Sequence, residues 1–300
     1  MGDVHKVLRI GCLIAGMLPL ASQAAEGNID RKVAAEANGE VVISNVAGTV
    51  EVRGWDRNEV HVTGTINQDV DSVLVDSSAG RTVIKVILPR GMHRGADAEI
   101  EVLVPKMSSV EVVTTSADVS SRGVLGAQRL KTTSGEITAD IAGDNSEVRS
   151  VSGDLTVRGS GKPVSLRTSS VSGSLDLTNL AGKLDVVTVS GDARVRMVEA
   201  SEVRGRTTSG NFDLSAKLTN GARVEVDGVS SEITLRLSPR GGFSAEVESF
   251  SGDIEGCLAD NVESVSKYGP GRRLNIRTPE AGAHVRAKTM SGDIDICDER

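Results

Sequence analysis

Large aromatic side chains are scarce in this sequence, which has one Trp, one Tyr and three Phe among its 300 residues. Sugar-binding tunnels and nucleic-acid sites usually stack their ligands on such rings, so the scarcity argues against both kinds of site. An excess of positive charge is also missing, because the formal net charge is −7. Nucleic-acid binding needs a basic surface, and we therefore expect no nucleic-acid partner.

Long apolar runs are equally rare. The longest uncharged one is Ile10–Ala21, and it is too short to cross a hydrocarbon core that needs about 20 residues. A weakly basic start and small residues after the run are typical of a secretory signal peptide. We therefore expect residues 1–24 to be removed by cleavage between Ala24 and Ala25. The mature chain is then an exported protein of the periplasm or cell envelope without a transmembrane segment.

A short motif, Ser-Gly-polar-apolar, recurs through the C-terminal two-thirds of the chain. Its serines are Ser134, Ser152, Ser172, Ser190, Ser209, Ser251 and Ser291, and two degenerate copies begin at Ser116 and Ser230. Successive copies are 18 to 21 residues apart, except that the last step is 40 residues. Such a fixed spacing indicates a structural repeat.

Apolar and polar residues alternate between these serines, as in 154–158 and 164–168. A period of two predicts strands with one buried face, and each copy has room for two short strands and two turns but no helix. The sequence therefore predicts an all-β protein, a parallel β-solenoid of about 19 residues per coil. A narrow solenoid interior has little room for rings, which accounts for the scarcity of aromatic residues.

The N-terminal third lacks the repeat but carries several strand-like segments. We expect a polar leader over residues 25–39, an N-terminal β-sheet cap over 40–108 and solenoid repeats over 109–300. A cap is needed because the end of a bare solenoid exposes unpaired strand edges.

The Ser-Gly-Asp corner has a structural and a metal-binding interpretation. Glycine can take the positive φ of a tight turn, and Ser and Asp can hydrogen-bond nearby backbone amides. Calcium-binding β-rolls need a Gly-Gly-x-Gly-x-Asp repeat, which is absent, and Ser174 and Asn211 interrupt the column of acids. We expect a structural turn and no metal site.

Two cysteines, Cys257 and Cys297, remain after removal of the predicted signal peptide. Each lies six residues after the serine of its repeat, Ser251 or Ser291. If residues 252–291 form one enlarged coil, the two α-carbons are about 4.8 Å apart, which a disulfide bond can span. If they form two coils, the bond is impossible. The loop-like sequence after residue 260 favours one coil and hence a disulfide bond.

Catalytic motifs are not apparent. His61, His93 and His284 are scattered, and none has a partner at metal-ligand spacing. The nearest cluster of charges, Asp176, Arg194 and Asp213, occupies equivalent positions in successive coils and fits a solvated ladder of side chains. We therefore expect no catalytic residues, no cofactor and no metal ion.

Residues 45–62, which include Gly54-Trp55-Asp56, are followed by 100–105 and then by the Ser-Gly-Asp repeats. In this order they resemble the bacterial putative-adhesin family, exported β-repeat proteins related to head-GIN-domain proteins. The resemblance covers roughly residues 40–297. It implies a β-solenoid in the cell envelope with an adhesive role, and it supplies no catalytic residues.

Two functions remain open. The favoured one is a non-enzymatic, adhesin-like scaffold that presents a rigid β-solenoid surface to an envelope or surface partner, either protein or polysaccharide. The alternative is a polysaccharide-active β-helix enzyme, a lyase or hydrolase. If the scaffold has a recognition surface, we expect it near the two aromatic residues of irregular segments, Trp55 in the cap and Tyr268 in the enlarged coil.

Overall fold

The computed structural model describes residues 27–90, 95–258, 261–265, 270–278 and 281–298. Within these ranges the chain forms strands and turns and no helix. These ranges therefore contain no helix that could span a membrane. The predicted signal peptide with its Ala24–Ala25 cleavage point, His93 and Tyr268 lie outside the described residues.

The strands of the N-terminal part precede the first regular repeat. They are β1 (Asn28–Ala34), β2 (Glu40–Trp55), β3 (Glu59–Ile66), β4 (Ser72–Ser78), β5 (Arg81–Ile87) and β6 (Ala98–Pro105). The strands of the middle are β7 (Ser109–Arg122), β8 (Gln128–Lys131), β9 (Ile137–Ile141), β10 (Ser146–Arg149), β11 (Leu155–Gly159), β12 (Pro163–Ser170), β13 (Leu175–Ser190), β14 (Ala193–Ser209) and β15 (Phe212–Ser230). Those of the C-terminal part are β16 (Ile233–Pro239), β17 (Gly242–Ser251), β18 (Ile254–Glu255), β19 (Glu263–Ser264), β20 (Arg272–Arg277), β21 (Ala281–Ser291) and β22 (Ile294–Asp298).

The middle of the molecule is a regular stack of parallel coils. Face I is the row of strands that follow the Ser-Gly corner, in which β9, β11 and the first part of β13 pair in parallel. Face II is the row that precedes the corner, in which β8, β10, β12 and the second part of β13 pair in parallel. Longer strands such as β14 contribute to both faces. The predicted parallel β-solenoid is confirmed.

The inward side chains of the two faces form one continuous apolar core. Leu155 and Val157 enter it from face I and Leu166 from face II, all less than 4% exposed. Phe212 is the largest fully buried side chain, and its ring lies over Gly205, where an added Cβ would come within 2.5 Å of the Phe Cζ atom. At this position the core admits a ring because the facing residue has no side chain.

The spatial order of coils departs from the order of the sequence at the N-terminal end. The first part of β2 lies between β5 and β7, and its second part lies between β6 and β7, in each case with parallel pairing. Residues 40–55 are thus a stacked coil, and the hydrogen bonding continues across residue 108. The predicted division into cap and solenoid domains stays a prediction.

The same departure occurs at the C-terminal end. On face II, β21 lies between β15 and β17, and on face I, β22 lies between β16 and β18. The last repeat, residues 281–298, is therefore inserted between the repeats that carry Ser230 and Ser251. Ser251 and Ser291 are direct neighbours, as one enlarged coil requires, although their order along the stack is reversed.

Antiparallel strands cover both ends of the stack. At the N-terminal end, β4 pairs with β5, β3 with β6, and β1 with β3. At the C-terminal end, β20 pairs with β17 and the short β19 pairs with β20. These antiparallel strands end the parallel stack. They also cover the strand edges of the terminal coils, which would otherwise be exposed.

Candidate interaction surface

Hydroxyl groups inside the solenoid build the Ser-Gly corner. Ser150 and Ser170 are at most 5% exposed, and their Oγ atoms accept hydrogen bonds from the amides of Gly153 and Gly173 at 2.7 and 2.9 Å. Oγ1 of Thr132 accepts a hydrogen bond from the amide of Gly135 in the same way, at 3.0 Å. In these three coils the anchoring hydroxyl is two residues before the repeat serine. The pattern Ser/Thr-x-Ser-Gly, visible in the sequence, is the signal that could have identified them.

Several corner glycines, including Gly135, Gly153 and Gly173, are required for close stacking rather than for unusual backbone angles. A Cβ at Gly153 would lie 1.8 Å from the carbonyl oxygen of Gly135, and one at Gly173 would lie 2.1 Å from that of Gly153. These three glycines do not have positive φ, whereas Gly210, Gly252 and Gly292 do. The expected reason, a positive φ, therefore does not apply to Gly135, Gly153 and Gly173, where the preceding coil occupies the place of a side chain.

The corner acids bind backbone amides. Asp154 Oδ1 accepts the amide of Ser174 at 2.8 Å, and Asp192 Oδ1 accepts the amide of Asn211 at 2.9 Å, each in the next coil. Asp118 bonds the amide of Glu136 likewise. Among the described residues no three His, Cys, Asp or Glu side chains converge as a metal site would require. The structural interpretation of the corner is the one that this geometry supports.

The residues between the anchoring hydroxyl and the glycine point to solvent and form a continuous line. We define the corner stripe as the residue pairs 115–116, 133–134, 151–152, 171–172, 189–190, 208–209, 229–230, 290–291 and 250–251, in their order along the stack. Each pair is exposed and is a Val, Thr, Met or Phe followed by Ser. Neighbouring pairs are about 4.8 Å apart, the spacing of paired strands.

The apolar side chains of the stripe are unusually accessible. Val151, Val171 and Val189 are 41–44% exposed, and Met290 and Phe250 are 60% and 58% exposed. Within the described ranges the serines of the stripe make no side-chain hydrogen bond. Sequence reasoning found these serines as turn residues but did not identify the apolar line beside them, or Phe250 at its end.

Two acids on the outside of face I pair with arginines in neighbouring coils. Asp176, Arg194 and Asp213 are adjacent in register, as expected. Arg196 approaches Asp176 at 3.8 Å, and Arg236 bonds Asp213 at 2.9 Å. Both acids thus have basic partners on the surface and do not converge on a common point as the two carboxylates of a glycosidase do.

Face II carries denser ion pairs. Glu147 contacts Arg129 at 3.5 Å, Lys131 at 3.8 Å and also Arg149. Further along, Glu248 accepts hydrogen bonds from Lys288 and Arg273, and that from Lys288 is the main reason why the pKa of Glu248 is lowered from its ordinary value of 4.5. A general acid needs the opposite change, a raised pKa.

A groove of about 520 Å³ lies at the C-terminal end of face II, lined by Ser244, Asn275, Arg277 and His284 among others. The Oγ atom of Ser244 lies 2.8 Å from Nδ1 of His284. This pair is 40 residues apart in sequence, so only the inserted last repeat brings it together. In the described part of the chain, no carboxylate contacts His284 to complete a catalytic triad.

Of the two predicted recognition residues, Trp55 lies within the described residues, where it contacts three neighbouring side chains or carbonyls. Trp55 is half-buried, donates its Nε1 hydrogen to the carbonyl of Glu59 at 2.9 Å, and lies 5.1 Å from the Arg57 guanidinium and 6.1 Å from the His61 ring. His61 in turn bonds Asp30 at 2.8 Å. These contacts join β2, β3 and β1. The part of Trp55 in recognition stays a prediction, and Tyr268 lies outside the described residues.

The two cysteines meet at the edge of face I. The amide of Cys257 lies 2.8 Å from Sγ of Cys297, and the amide of Asp298 lies 3.2 Å from Sγ of Cys257. Both are free thiols in this structure. The hydrogen bond with the Cys257 thiol raises the pKa of Cys297. The last repeat and the repeat of Ser251 thus place the cysteines side by side.

Comparisons with solved structures find several similar proteins. A putative adhesin from Bacteroides fragilis NCTC 9343 is 10% identical over 92% of this chain and 98% of its own, with a TM-score of 0.40. A putative lipid binding protein from Parabacteroides distasonis ATCC 8503 is 12% identical over 92% and 99%, with a TM-score of 0.38. A putative adhesin from the same strain is 10% identical over 90% and 98%, with a TM-score of 0.31.

No curated protein matches the sequence. The model of one family, Toastrack DUF4097, matches residues 38–297, which span the stacked coils and the antiparallel C-terminal cover. This chain therefore belongs to the Toastrack DUF4097 family.

Proposed function

We propose that this protein is a non-enzymatic, adhesin-like interaction module of the cell envelope that binds its partner along the corner stripe. The observation that carries the proposal is the contrast between the stripe and the two faces. Face II presents charges that are largely paired with one another and face I has two such pairs, whereas the stripe presents apolar side chains without any cover. A contiguous exposed apolar surface is a common mark of an interaction site.

The rigidity of the stripe supports the same role. In the regular coils a pair of stripe residues lies between a buried hydroxyl and a closely stacked glycine, as at Ser150 and Gly153. The backbone that carries the stripe is therefore ordered before binding, which reduces the entropy lost when a partner docks. A regular line of contacts suits an extended partner such as a polysaccharide or an extended protein segment.

Export is the second part of the proposal. The apolar run Ile10–Ala21 and the small residues after it support removal of residues 1–24 before Ala25. The protein then works in the periplasm or at the cell surface. N-terminal sequencing of the protein isolated from envelopes tests this part, and a mature chain that begins at Met1 would contradict it.

A polysaccharide-active enzyme is the second candidate, and the groove at Ser244 and His284 is the observation in its favour. We expect no turnover when uronate-containing polysaccharides are screened for unsaturated or reducing-end products. Turnover that is lost in Asp176→Asn, Asp213→Asn or His284→Ala would establish the enzyme and overturn the scaffold.

The binding proposal is tested by cross-linked capture from intact envelopes with matched variants. Val171→Asp with Val189→Asp places charges in the stripe, and Val198→Asp, at the opposite corner and 44% exposed, is the control. We expect capture of the partner to fall at least tenfold in the stripe variant and to stay unchanged in the control. Unchanged capture by both variants would show that the partner does not bind along the corner stripe.

The predicted recognition residues enter the same assay. Trp55→Ala and Tyr268→Ala are compared with Phe250→Ala, which removes the ring at the end of the stripe. We expect Phe250→Ala to weaken capture. A loss confined to Trp55→Ala or Tyr268→Ala would move the recognition surface to the irregular segments, as the sequence alone indicates.

A further inference from the structure

The inserted last repeat is paired on both sides through β21, but its last strand, β22, has only a short contact on one side. On face I, β22 pairs with β16 over Ile294–Asp298, but its other neighbour, β18, covers only Ile294 and Asp295. Beyond these residues the amide of Leu258 still bonds the carbonyl of Ile296 at 3.3 Å. Strand ends with few hydrogen-bonded partners open readily, so a further attachment would hold the end of β22 in place.

The cysteines lie at this point. Gly256 has φ +113°, and a Cβ there would lie 2.4 Å from the carbonyl oxygen of Ile296. The chain after β18 therefore runs tightly against β22. Each sulfur approaches a backbone amide of the other segment, with Sγ of Cys297 at 2.8 Å from the amide of Cys257 and Sγ of Cys257 at 3.2 Å from the amide of Asp298.

We propose that Cys257 and Cys297 form a disulfide bond that fastens the inserted last repeat to the repeat of Ser251. Adjacent strands are about 4.8 Å apart, within the α-carbon separation that a disulfide spans. Partial exposure of both residues lets an oxidant reach them. The bond forms across the boundary where the spatial order and the sequence order of the repeats differ.

The chemistry is thiol–disulfide exchange with an oxidised protein dithiol of the exported compartment. One cysteine thiolate attacks the disulfide of the oxidant and forms a mixed disulfide, and one oxidant sulfur leaves as a thiolate. The second cysteine thiolate then displaces the remaining oxidant sulfur. The two protein thiols lose two protons and two electrons, and the oxidant is released as a dithiol.

The bond gives the C-terminal end a covalent closure. Withdrawal of residues 281–298 would expose the facing edges of β16 and β18, and of β15 and β17, to pairing with another chain. The cross-link prevents this withdrawal because it closes a loop from Cys257 to Cys297 that contains both β20 and β21. Reduction removes the closure without changing the fold of the middle coils.

The test uses the purified full chain, folded and then equilibrated with oxidised glutathione, so its result does not depend on export. We expect intact mass spectrometry to show the loss of two hydrogen atoms and peptide mapping to show residues 257 and 297 in one linked pair. If both thiols remain open to alkylation without prior reduction, or if only glutathione adducts form, the proposal fails.

Limited proteolysis tests the fastening role. In the oxidised protein we expect cleavage near residues 281–298 to be at least tenfold slower than after reduction. The double variant Cys257→Ser, Cys297→Ser is expected to be cleaved at the rate of the reduced protein whether or not reductant is present. Equal cleavage of oxidised and reduced wild-type protein would mean that the bond fastens nothing.

Discussion

The middle coils and the two ends of this molecule follow different rules of assembly. From β7 to β15 each repeat stacks on the one before it in the sequence, at a step of 18 to 21 residues. At the ends a later or earlier segment is inserted: β2 lies between β6 and β7, and β21 lies between β15 and β17. Local repetition builds the middle, and the need to close exposed edges determines the ends.

The difference has an energetic meaning. In a repeat array each unit is stabilised by its own interactions and by its two neighbours, so a middle coil has a partner on each side. The terminal coils obtain their outer partner from antiparallel strands, β4 at one end and β20 at the other. Damage in the middle should therefore break the whole stack, whereas damage at an end should open that end alone.

Removal of core rings and side chains should give the largest effect. We expect Phe212→Ala to lower the free energy of unfolding by about 3–5 kcal/mol, because it empties the space over Gly205 in a middle coil. Leu274→Ala, in the cover strand β20, should expose the C-terminal end to hydrogen exchange while the middle stays protected. Phe250→Ala, on the surface, should change stability by less than about 0.5 kcal/mol. Equal hydrogen-exchange patterns in Phe212→Ala and Leu274→Ala would contradict the difference between the middle coils and the ends.

Addition of one methyl group at a corner should give the next largest effect. Gly153→Ala brings a Cβ within 1.8 Å of the Gly135 carbonyl, and we expect a loss of about 3 kcal/mol in chemical denaturation because the stack must separate to accept it. Gly241→Ala is the control, since nothing lies within 4 Å of its Cβ, and its φ of +96° should cost about 1 kcal/mol. If Gly153→Ala were as mild as the control, the corner would not be close-packed.

The ion pairs of the C-terminal end should give the smallest effect. The lowered pKa of Glu248 means that its carboxylate favours the folded state above its ordinary pKa and that this stabilisation is lost as the pH falls through the lowered value. We expect Glu248→Gln to cost about 1 kcal/mol at pH 7 and nothing at a pH below the lowered value. Glu246→Gln, which has only a 4.0 Å contact with Arg286, is the matched control. If Glu248→Gln still lowered the stability in strong acid, the stabilisation could not come from the ionised carboxylate of Glu248.

Much of the middle could be predicted from the sequence because its contacts are between residues one repeat apart. The inward position of Phe212 and the adjacency of Asp176, Arg194 and Asp213 follow from the period alone. The reason for glycine at the corners did not follow, since the pattern shows which residue recurs but not what lies above it. At Gly153 the carbonyl of Gly135, in the preceding coil, excludes a side chain.

The ends could not be predicted in the same way. Insertion of residues 281–298 depends on which strand edges are free after the middle has formed, and no local pattern records this. The Ser244–His284 contact and the arrangement of Cys257 beside Cys297 are consequences of that insertion. Adjacency of the two cysteines was expected from their equivalent repeat positions, but the reversed order of their coils was not.

The order of strands at the C-terminal end is the central claim, and cross-linking measures it directly. In a Cys257→Ser, Cys297→Ser background, Thr234→Cys is combined either with Asp295→Cys or with Glu255→Cys, and each protein is treated with a thiol cross-linker that spans about 5 Å, one strand spacing. Because Thr234 is adjacent to Asp295 and Glu255 lies one strand further, we predict rapid cross-linking of 234 with 295 and almost none of 234 with 255. Rapid cross-linking of 234 with 255 and none of 234 with 295 would show that the coils follow the order of the sequence and would contradict the account.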